Sequence, residues 1–116
     1  MKPIMSGLLR DMVEASDSLN EVYKSDLSVG DWVFVKTRNS IYSIRVDSPG
    51  VYSVSGGWFD RRGVSPLRTT IAGCTWGGSA IKVDIIAASG LMLEFGNKLT
   101  TSPIQGAFVL PNGTMN

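Results

Sequence analysis

From residue 28 onward, apolar and polar side chains alternate along short segments that end at glycine, proline or asparagine. A repeat of two places successive side chains on opposite faces of a β-strand, whereas a helix needs a repeat of about 3.6 residues. Glycine and proline adopt the backbone angles that tight turns require. The alternation therefore predicts about six or seven short antiparallel strands, at the spacing typical of a small barrel or sandwich.

The first predicted strand spans residues 30–38 and shows this pattern clearly. Val33 and Val35 lie on one face, and Trp32 and Phe34 lie on the other. β-Branched and aromatic residues favour strands because they fit a pleated, half-buried surface. Loops are predicted at 58–66 and 73–79, and further strands at 41–46, 51–55, 67–72, 80–87, 91–95 and 99–110.

Residues 1–27 follow a helical repeat instead. Their apolar residues recur every three or four positions, and the segment has five acidic against three basic residues. We predict an amphipathic helix whose apolar stripe packs on one open end of the β domain. A partner surface is the alternative, and a membrane surface is disfavoured because interfacial helices usually carry basic polar faces. The stripe comprises Met5, Leu8, Met12, Ala15, Leu19 and Val22.

The bulk composition fits a single globular domain. The chain has 116 residues, of which 43% are hydrophobic and 18% are charged. We expect a small β-barrel over residues 28–110 and a flexible tail over residues 111–116. Pro103 predicts an edge position or a bulge in the last strand, because proline cannot donate to the ladder.

The compartment is inferred from what the sequence lacks. Cys74 is the single cysteine, which excludes an internal disulfide and fits a reducing compartment. The sequence has no apolar run of about 18 residues that could cross a membrane. Arg10 follows the first apolar residues too soon for a signal peptide. We therefore expect a cytoplasmic protein with no membrane partner.

Several chemistries are excluded by missing residue types. The chain has no histidine, which excludes Ser-His-Asp and Cys-His catalysis and His-ligated zinc. A single cysteine cannot build a thiolate metal cluster. Asp31 and Asp47 fall at a strand start and a turn, where short polar side chains commonly satisfy backbone groups. We predict no enzyme activity, no catalytic residue, no metal ion, no cofactor and no small-molecule substrate.

The glycine-rich residues 73–79 invite comparison with a phosphate-binding loop. The lysine expected before Ser79 is missing, and the segment is followed by a predicted strand, not a helix. We therefore interpret this segment as a connection between strands, with glycines at positive φ.

The loop at residues 58–66 holds two aromatic residues beside two arginines. In one interpretation, Trp58 and Phe59 stack on bases while Arg61 and Arg62 hold phosphates. In the other, the aromatic side chains close the β domain and the arginines stay solvated. The net charge of +1 argues against a general polyanion binder, since such affinity depends on a basic excess.

Two segments are similar to signatures of the Sm/LSm-like family. Residues 27–36 resemble its first strand, in which a glycine precedes an alternating apolar run. Residues 104–109 resemble its second signature, with Gln105 where the family usually has arginine, and residues 47–60 lack the Asp-x-Met-Asn segment of RNA-binding members. The resemblance implies a small bent antiparallel barrel, Sm-like or SH3-like, that forms rings through its edge strands. It makes Gln105 and Gly106 candidate base-contacting positions.

These observations together predict a non-enzymatic binding module. We expect it to form a homo-oligomer through its edge strands, because unpaired strand edges must be covered. The alternative is a structural or assembly protein that joins a larger complex through its helix or its edge strands. RNA is the candidate ligand, and the candidate nucleic-acid-binding residues are Trp58, Phe59, Arg61, Arg62, Gln105 and Gly106.

Overall fold

A computed structural model describes residues 21–77 and 80–112 of the chain. These residues are mainly β, as predicted, with one short helix, α1 (Gly57–Arg61), and a 3-10 turn at Lys24–Asp26. The strands are β1 (Glu21–Tyr23), β2 (Trp32–Thr37), β3 (Ile41–Ser48), β4 (Val51–Gly56), β5 (Leu67–Thr69), β6 (Ile71–Thr75), β7 (Ile85–Ala88), β8 (Met92–Phe95) and β9 (Ile104–Leu110).

The strands form three antiparallel sheets. A five-stranded sheet has the order β5-β4-β3-β2-β9, and two-stranded sheets join β1 with β7 and β6 with β8. The mainly β, antiparallel character of the prediction is confirmed, but none of these sheets closes into a barrel within the described residues. The cause lies in pairings between strands that are distant in the sequence. The strands that would close the sheet, β6 to β8, pair with one another or with β1 instead.

The meander from β2 to β4 is confirmed, because its turns are specified by local sequence. At the β2–β3 turn, the Thr37 N–H donates to the Ser40 carbonyl at 2.8 Å. At the β3–β4 turn, Gly50 has a φ of 78°, which glycine adopts without strain. Pro103 lies just before β9 and not inside it, but β9 is an edge strand with a bulge opposite Lys36.

The core lies between the inner face of the five-stranded sheet and the two smaller sheets. Val33 and Val35 of β2 are fully buried there, as the alternation predicts. Opposite them, Ile86 of β7 and Leu93 and Phe95 of β8 belong to the same apolar cluster. The core therefore joins all three sheets into one body.

The predicted helix is wrong for its last residues. Val22 lies in β1, pairs with Ala87 and is buried in the core. The alternation of exposed Glu21, buried Val22 and exposed Tyr23 fits a strand. These residues are compatible with either a helical or a strand repeat, and pairing with β7 favours the strand. The other residues of the predicted helix, 1–20, lie outside the described residues.

Other boundaries also differ from the predictions, and the strand predicted at 99–110 begins only at Ile104. The segment predicted as a loop at 58–66 begins with α1, where the Asp60 carboxylate accepts the Gly56 N–H at 3.0 Å. The strand predicted at 67–72 is two strands, β5 and β6, in different sheets. The strand predicted at 80–87 begins only at Ile85, because Lys82 is held in a separate bridge to Cys74.

The predicted tail is bound to the domain at its start. The Asn112 N–H donates to the Asp31 carboxylate at 2.8 Å. The same carboxylate accepts the Ser28 N–H at 2.8 Å. Asp31 therefore satisfies backbone groups, as predicted, and residues 113–116 lie outside the described residues.

Candidate functional site

Phe59 is a core residue in the structure. Its side chain is 0% exposed, and its ring packs edge-to-face on Phe95 at 4.9 Å and on Tyr42 at 6.2 Å. A base cannot stack on a ring with no accessible face, so the prediction that Phe59 contacts nucleic acid is wrong. Its role is to anchor α1 to the core.

Trp58 keeps one part of its ring at the surface. The side chain is half-buried, and the guanidinium carbon of Arg62 lies 5.6 Å from the ring centroid. This is within the range of a cation–π contact. Arg61 and Arg62 are both exposed. Each interpretation of this segment is therefore met in part. Phe59 closes the core, while Trp58 and the two arginines remain accessible at the surface.

Gln105 and Gly106 lie at the same end of the five-stranded sheet as α1. Gly106 is buried opposite Lys36, and Gln105 is exposed at the bulge. Strands β2 and β3 separate them from β4, which leads into α1, so the separation is about 14 Å at the usual strand spacing. We call Arg38, Trp58, Arg61, Arg62 and Gln105 the α1 end.

The surface of the α1 end is shallow and basic. The β2–β3 turn, residues 36–41, lines a depression of about 70 Å³ there. Arg38 on this turn is exposed, as are Arg61 and Arg62. The Asp60 carboxylate is already bonded to the Gly56 N–H and to the Ser65 hydroxyl. The α1 end can attract an anion but offers it little enclosure.

A second surface was missed by the sequence analysis and centres on Trp76. This side chain is 57% exposed, and the Lys82 ammonium lies 5.9 Å from its ring centroid. Both residues line an open depression of about 710 Å³ together with Glu21. Its other lining residues are Ala88, Ser89 and Leu91.

Two further exposed side chains lie next to these lining residues along the chain. The Tyr23 hydroxyl donates to the Glu21 carboxylate at 3.0 Å, and this bond raises the pKa of Tyr23. Val83 follows Lys82 in the chain and is 56% exposed. We call Glu21, Tyr23, Trp76, Lys82 and Val83 the Trp76 surface. It combines three apolar or aromatic side chains with one positive and one negative charge.

The loop that carries Trp76 is held by polar contacts of its own. The Gly77 N–H donates to the Thr75 hydroxyl oxygen at 3.0 Å. Cys74 and Lys82 exchange backbone hydrogen bonds of 3.1 and 2.7 Å beneath it. A tryptophan among glycines on a short loop has few neighbours to bury it, and this was the signal in residues 73–79 that sequence reasoning passed over.

The edge strands offer less free backbone for pairing with another copy than the sequence suggested. β5 has only three residues. In β9, the Ile104 N–H donates to the Leu91 carbonyl at 2.8 Å, and the Ile104 carbonyl accepts the Gly90 N–H at 2.8 Å. The first residue of β9 is therefore already paired and cannot pair with a strand of another copy. Ala107, in the middle of β9, is 1% exposed.

Cys74 and Lys24 belong to the core and its margin. Cys74 is fully buried, and burial raises the pKa of its thiol to about 11. The Lys24 ammonium donates to the Ile71 carbonyl at 2.7 Å, and burial lowers the pKa of Lys24. A thiol held in its neutral form is a poor nucleophile and a poor metal ligand.

Asp47 differs from Asp31 in what it satisfies. Its carboxylate accepts the Ser53 hydroxyl and pairs with Arg45 at 3.0 Å and Arg68 at 3.3 Å. These partners are side chains. In the part of the chain that the structure describes, Asp47 makes no hydrogen bond to a backbone group, contrary to the prediction. In residues 21–77 and 80–112, no group of three or more Cys, Asp or Glu residues could hold a metal ion.

Comparison with known proteins supplies no family. No family model, no curated protein and no solved structure matches this chain. Among the described residues, no helix is both long enough and apolar enough to cross a membrane.

Proposed function

We propose that the protein is a non-enzymatic binding module that assembles with further copies of itself through the Trp76 surface. The exposure of Trp76 carries this proposal. Tryptophan and tyrosine are enriched at the centres of protein interfaces, where a few such anchors provide most of the binding free energy. The sequence predicts self-association through strand edges, whereas the contact proposed here is formed by exposed side chains.

The charges of the Trp76 surface favour a second copy over an unrelated partner. Glu21 and Lys82 line the same depression and carry opposite charges. In a two-fold dimer, residue i of one copy contacts residue j of the other, and the reverse contact also forms. Glu21 of each copy can then face Lys82 of the other, so the surface is complementary to itself.

Removing the aromatic anchor tests the proposal. We expect Trp76→Ser to weaken self-association at least about tenfold, which corresponds to about 1.4 kcal/mol. Val64→Ser is the matched control, because Val64 is also exposed but lies beyond α1. Sedimentation equilibrium gives both dissociation constants. Equal constants for the two variants would contradict the proposal.

A charge exchange between Glu21 and Lys82 distinguishes a specific two-fold contact from nonspecific association. Lys82→Glu places like charges across the interface and should weaken association. Adding Glu21→Lys to that variant restores opposite charges and should recover part of the loss. If the double variant associates no better than Lys82→Glu, the two residues do not face each other.

RNA binding at the α1 end is the second candidate function. What favours it is the placement of three exposed arginines and the half-buried Trp58 at one end of the sheet, with Gln105. The Sm-like resemblance is consistent with it, since its two segments lie on the neighbouring strands β2 and β9. The small bent barrel that the resemblance implies remains part of this proposal.

Oligonucleotide titrations test the second candidate. We expect U-rich or A-rich RNA to bind at low salt, with affinity that falls as salt rises. Combined replacement Arg61→Ala and Arg62→Ala should weaken binding, while Arg45→Ala, an arginine of β3 paired with Asp47, serves as control. Fluorescence anisotropy that stays flat with both RNAs would exclude RNA as the ligand.

A further inference from the structure

A partly enclosed cavity of about 290 Å³ lies between the β3–β4 turn and the chain that leads from β1 to β2. Its size is close to the lower limit of the pockets that hold small ligands, about 300 Å³. We call it the Tyr52 cavity, after the buried tyrosine in its lining. It shares no lining residue with the Trp76 surface or the α1 end. Its walls are mostly apolar and include Leu27, Val29, Val46 and Pro49.

Tyr52 brings a hydroxyl without a hydrogen-bond partner to this cavity. The residue is 4% exposed, and its ring belongs to the apolar core. A buried tyrosine hydroxyl usually has a partner, but the Tyr52 hydroxyl has none among the described residues. No fully enclosed side-chain oxygen or nitrogen of residues 21–77 and 80–112 lacks a partner, so this hydroxyl opens onto the cavity that its side chain lines. Burial raises the pKa of Tyr52, which keeps the hydroxyl protonated and able to donate.

Lys24 brings a positive charge to the same cavity. Its half-buried ammonium donates to the Ile71 carbonyl at 2.7 Å, which leaves two of its three N–H groups for another acceptor. The ion pairs within residues 21–77 and 80–112 do not include Lys24. Burial lowers the pKa of Lys24, and the charge of Asp84 opposes this only in part. An anion that entered the cavity would compensate the ammonium for its lost hydration.

The backbone pairing places these two groups on neighbouring strands. Thr69 of β5 pairs with Tyr52 of β4. Ile71, the acceptor of the Lys24 ammonium, follows Thr69 by two residues. The ammonium and the hydroxyl are both donors, and both line one cavity with apolar walls. This is the usual composition of a small-ligand site, in which a few polar groups orient a molecule among apolar side chains.

We propose that the Tyr52 cavity binds a small monocarboxylate with a short apolar body. The carboxylate accepts hydrogen bonds from the Lys24 ammonium and the Tyr52 hydroxyl, and the apolar body packs on Leu27 and Val46. A phosphate dianion would bring a second charge that one ammonium does not neutralise, and an amine would face a like charge. A water molecule takes about 30 Å³ in the liquid, so the cavity has room for about ten non-hydrogen atoms. This ligand goes beyond the self-association proposed above, and the sequence alone does not predict it.

Paired titrations of the full chain test the charge of the ligand. Hexanoate and hexanol have the same apolar chain, and only hexanoate carries a carboxylate. Hexanoate should shift the backbone amide NMR signals of Leu27 and Val46 along a saturable curve. Hexanol should bind at least about tenfold more weakly, because hydrogen bonds to an ionised acceptor are the stronger ones. Shifts confined to residues around Trp76 and Lys82 would place hexanoate on the Trp76 surface and contradict the proposal.

Substitutions of the two donors test their roles. Tyr52→Phe keeps the ring that fills the core and removes the donor, so hexanoate should bind about tenfold more weakly. Tyr42→Phe is the matched control, since Tyr42 is also a buried core tyrosine but does not line the cavity. Lys24→Met keeps a long side chain without its charge. It should weaken the binding of hexanoate at least about tenfold and leave that of hexanol unchanged.

A substitution at the surface covers the case in which the buried variants fail to fold. Val29 is 49% exposed on the cavity wall, and Val64 is 39% exposed beyond α1. Val29→Trp should obstruct the cavity and abolish the saturable shifts, whereas Val64→Trp should leave them unchanged. The proposal is overturned if hexanoate produces no saturable shift, if hexanol binds as tightly as hexanoate, or if Tyr52→Phe and Tyr42→Phe bind hexanoate equally well.

Discussion

At the scale of single residues, the polar side chains of the described fold act mainly on structure. Asp31 ties the chain before β2 to the chain after β9 through two backbone N–H groups. Asp47 joins β3 to Ser53 of β4 and to Arg68 of β5 across the outer face. Cys74 is a free thiol buried in the core. These contacts hold the sheet in register.

The Asp47 network predicts a pH dependence of stability. The bond from the Ser53 hydroxyl, followed by the charges of Arg45 and Arg68, lowers the pKa of Asp47 below its ordinary value of 3.8. Its contribution is therefore complete above that value and is lost as the pH falls below it. Since the arginines are well exposed, the contribution should be less than about 1 kcal/mol.

Acid titration of two proteins checks this. Between neutral and strongly acidic pH, the wild type should lose more free energy of unfolding than Asp47→Asn, which cannot ionise. Urea denaturation at each pH gives both values. Parallel losses in the two proteins would show that Asp47 does not contribute.

At the scale of elements, the join between β4 and α1 requires glycine, and Gly56 gives the clearest test. Gly56 has a φ of 102°, and a Cβ there would overlap the Ile41 carbonyl oxygen. Gly63, just after α1, also has a positive φ of 70° but has open space around it. We expect Gly56→Ala to lower the free energy of unfolding by about 1–3 kcal/mol, and by more than Gly63→Ala. Equal losses in urea denaturation would mean that backbone strain alone is responsible.

Sequence reasoning succeeded where neighbours along the chain decide the structure. β2, β3, β4 and their turns follow from alternation and from Pro49-Gly50. It failed where distant partners decide. Val22 suits a helix or a strand until β7 is available to pair with it, and Phe59 suits a surface or a core position until Tyr42 and Phe95 enclose it. The exposure of Trp76 was missed because it depends on which residues surround the side chain in the folded structure.

At the scale of the whole molecule, the chain presents two surfaces of different character. The Trp76 surface is aromatic with balanced charge, and the α1 end is basic and shallow. The former suits contact with another protein, because aromatic anchors gain from desolvation. The latter suits an anion, because its cations remain hydrated until a ligand binds. The two sites can be tested independently, since they share no residue.

The most direct test of self-association is the mass of the wild-type protein in solution. Multi-angle light scattering across a dilution series should give a mass of at least twice the 12.5 kDa of one chain at tens of micromolar. The mass should fall toward that of one chain on dilution, and Trp76→Ser should show this fall at higher concentration. A constant mass of 12.5 kDa at every concentration would contradict the account.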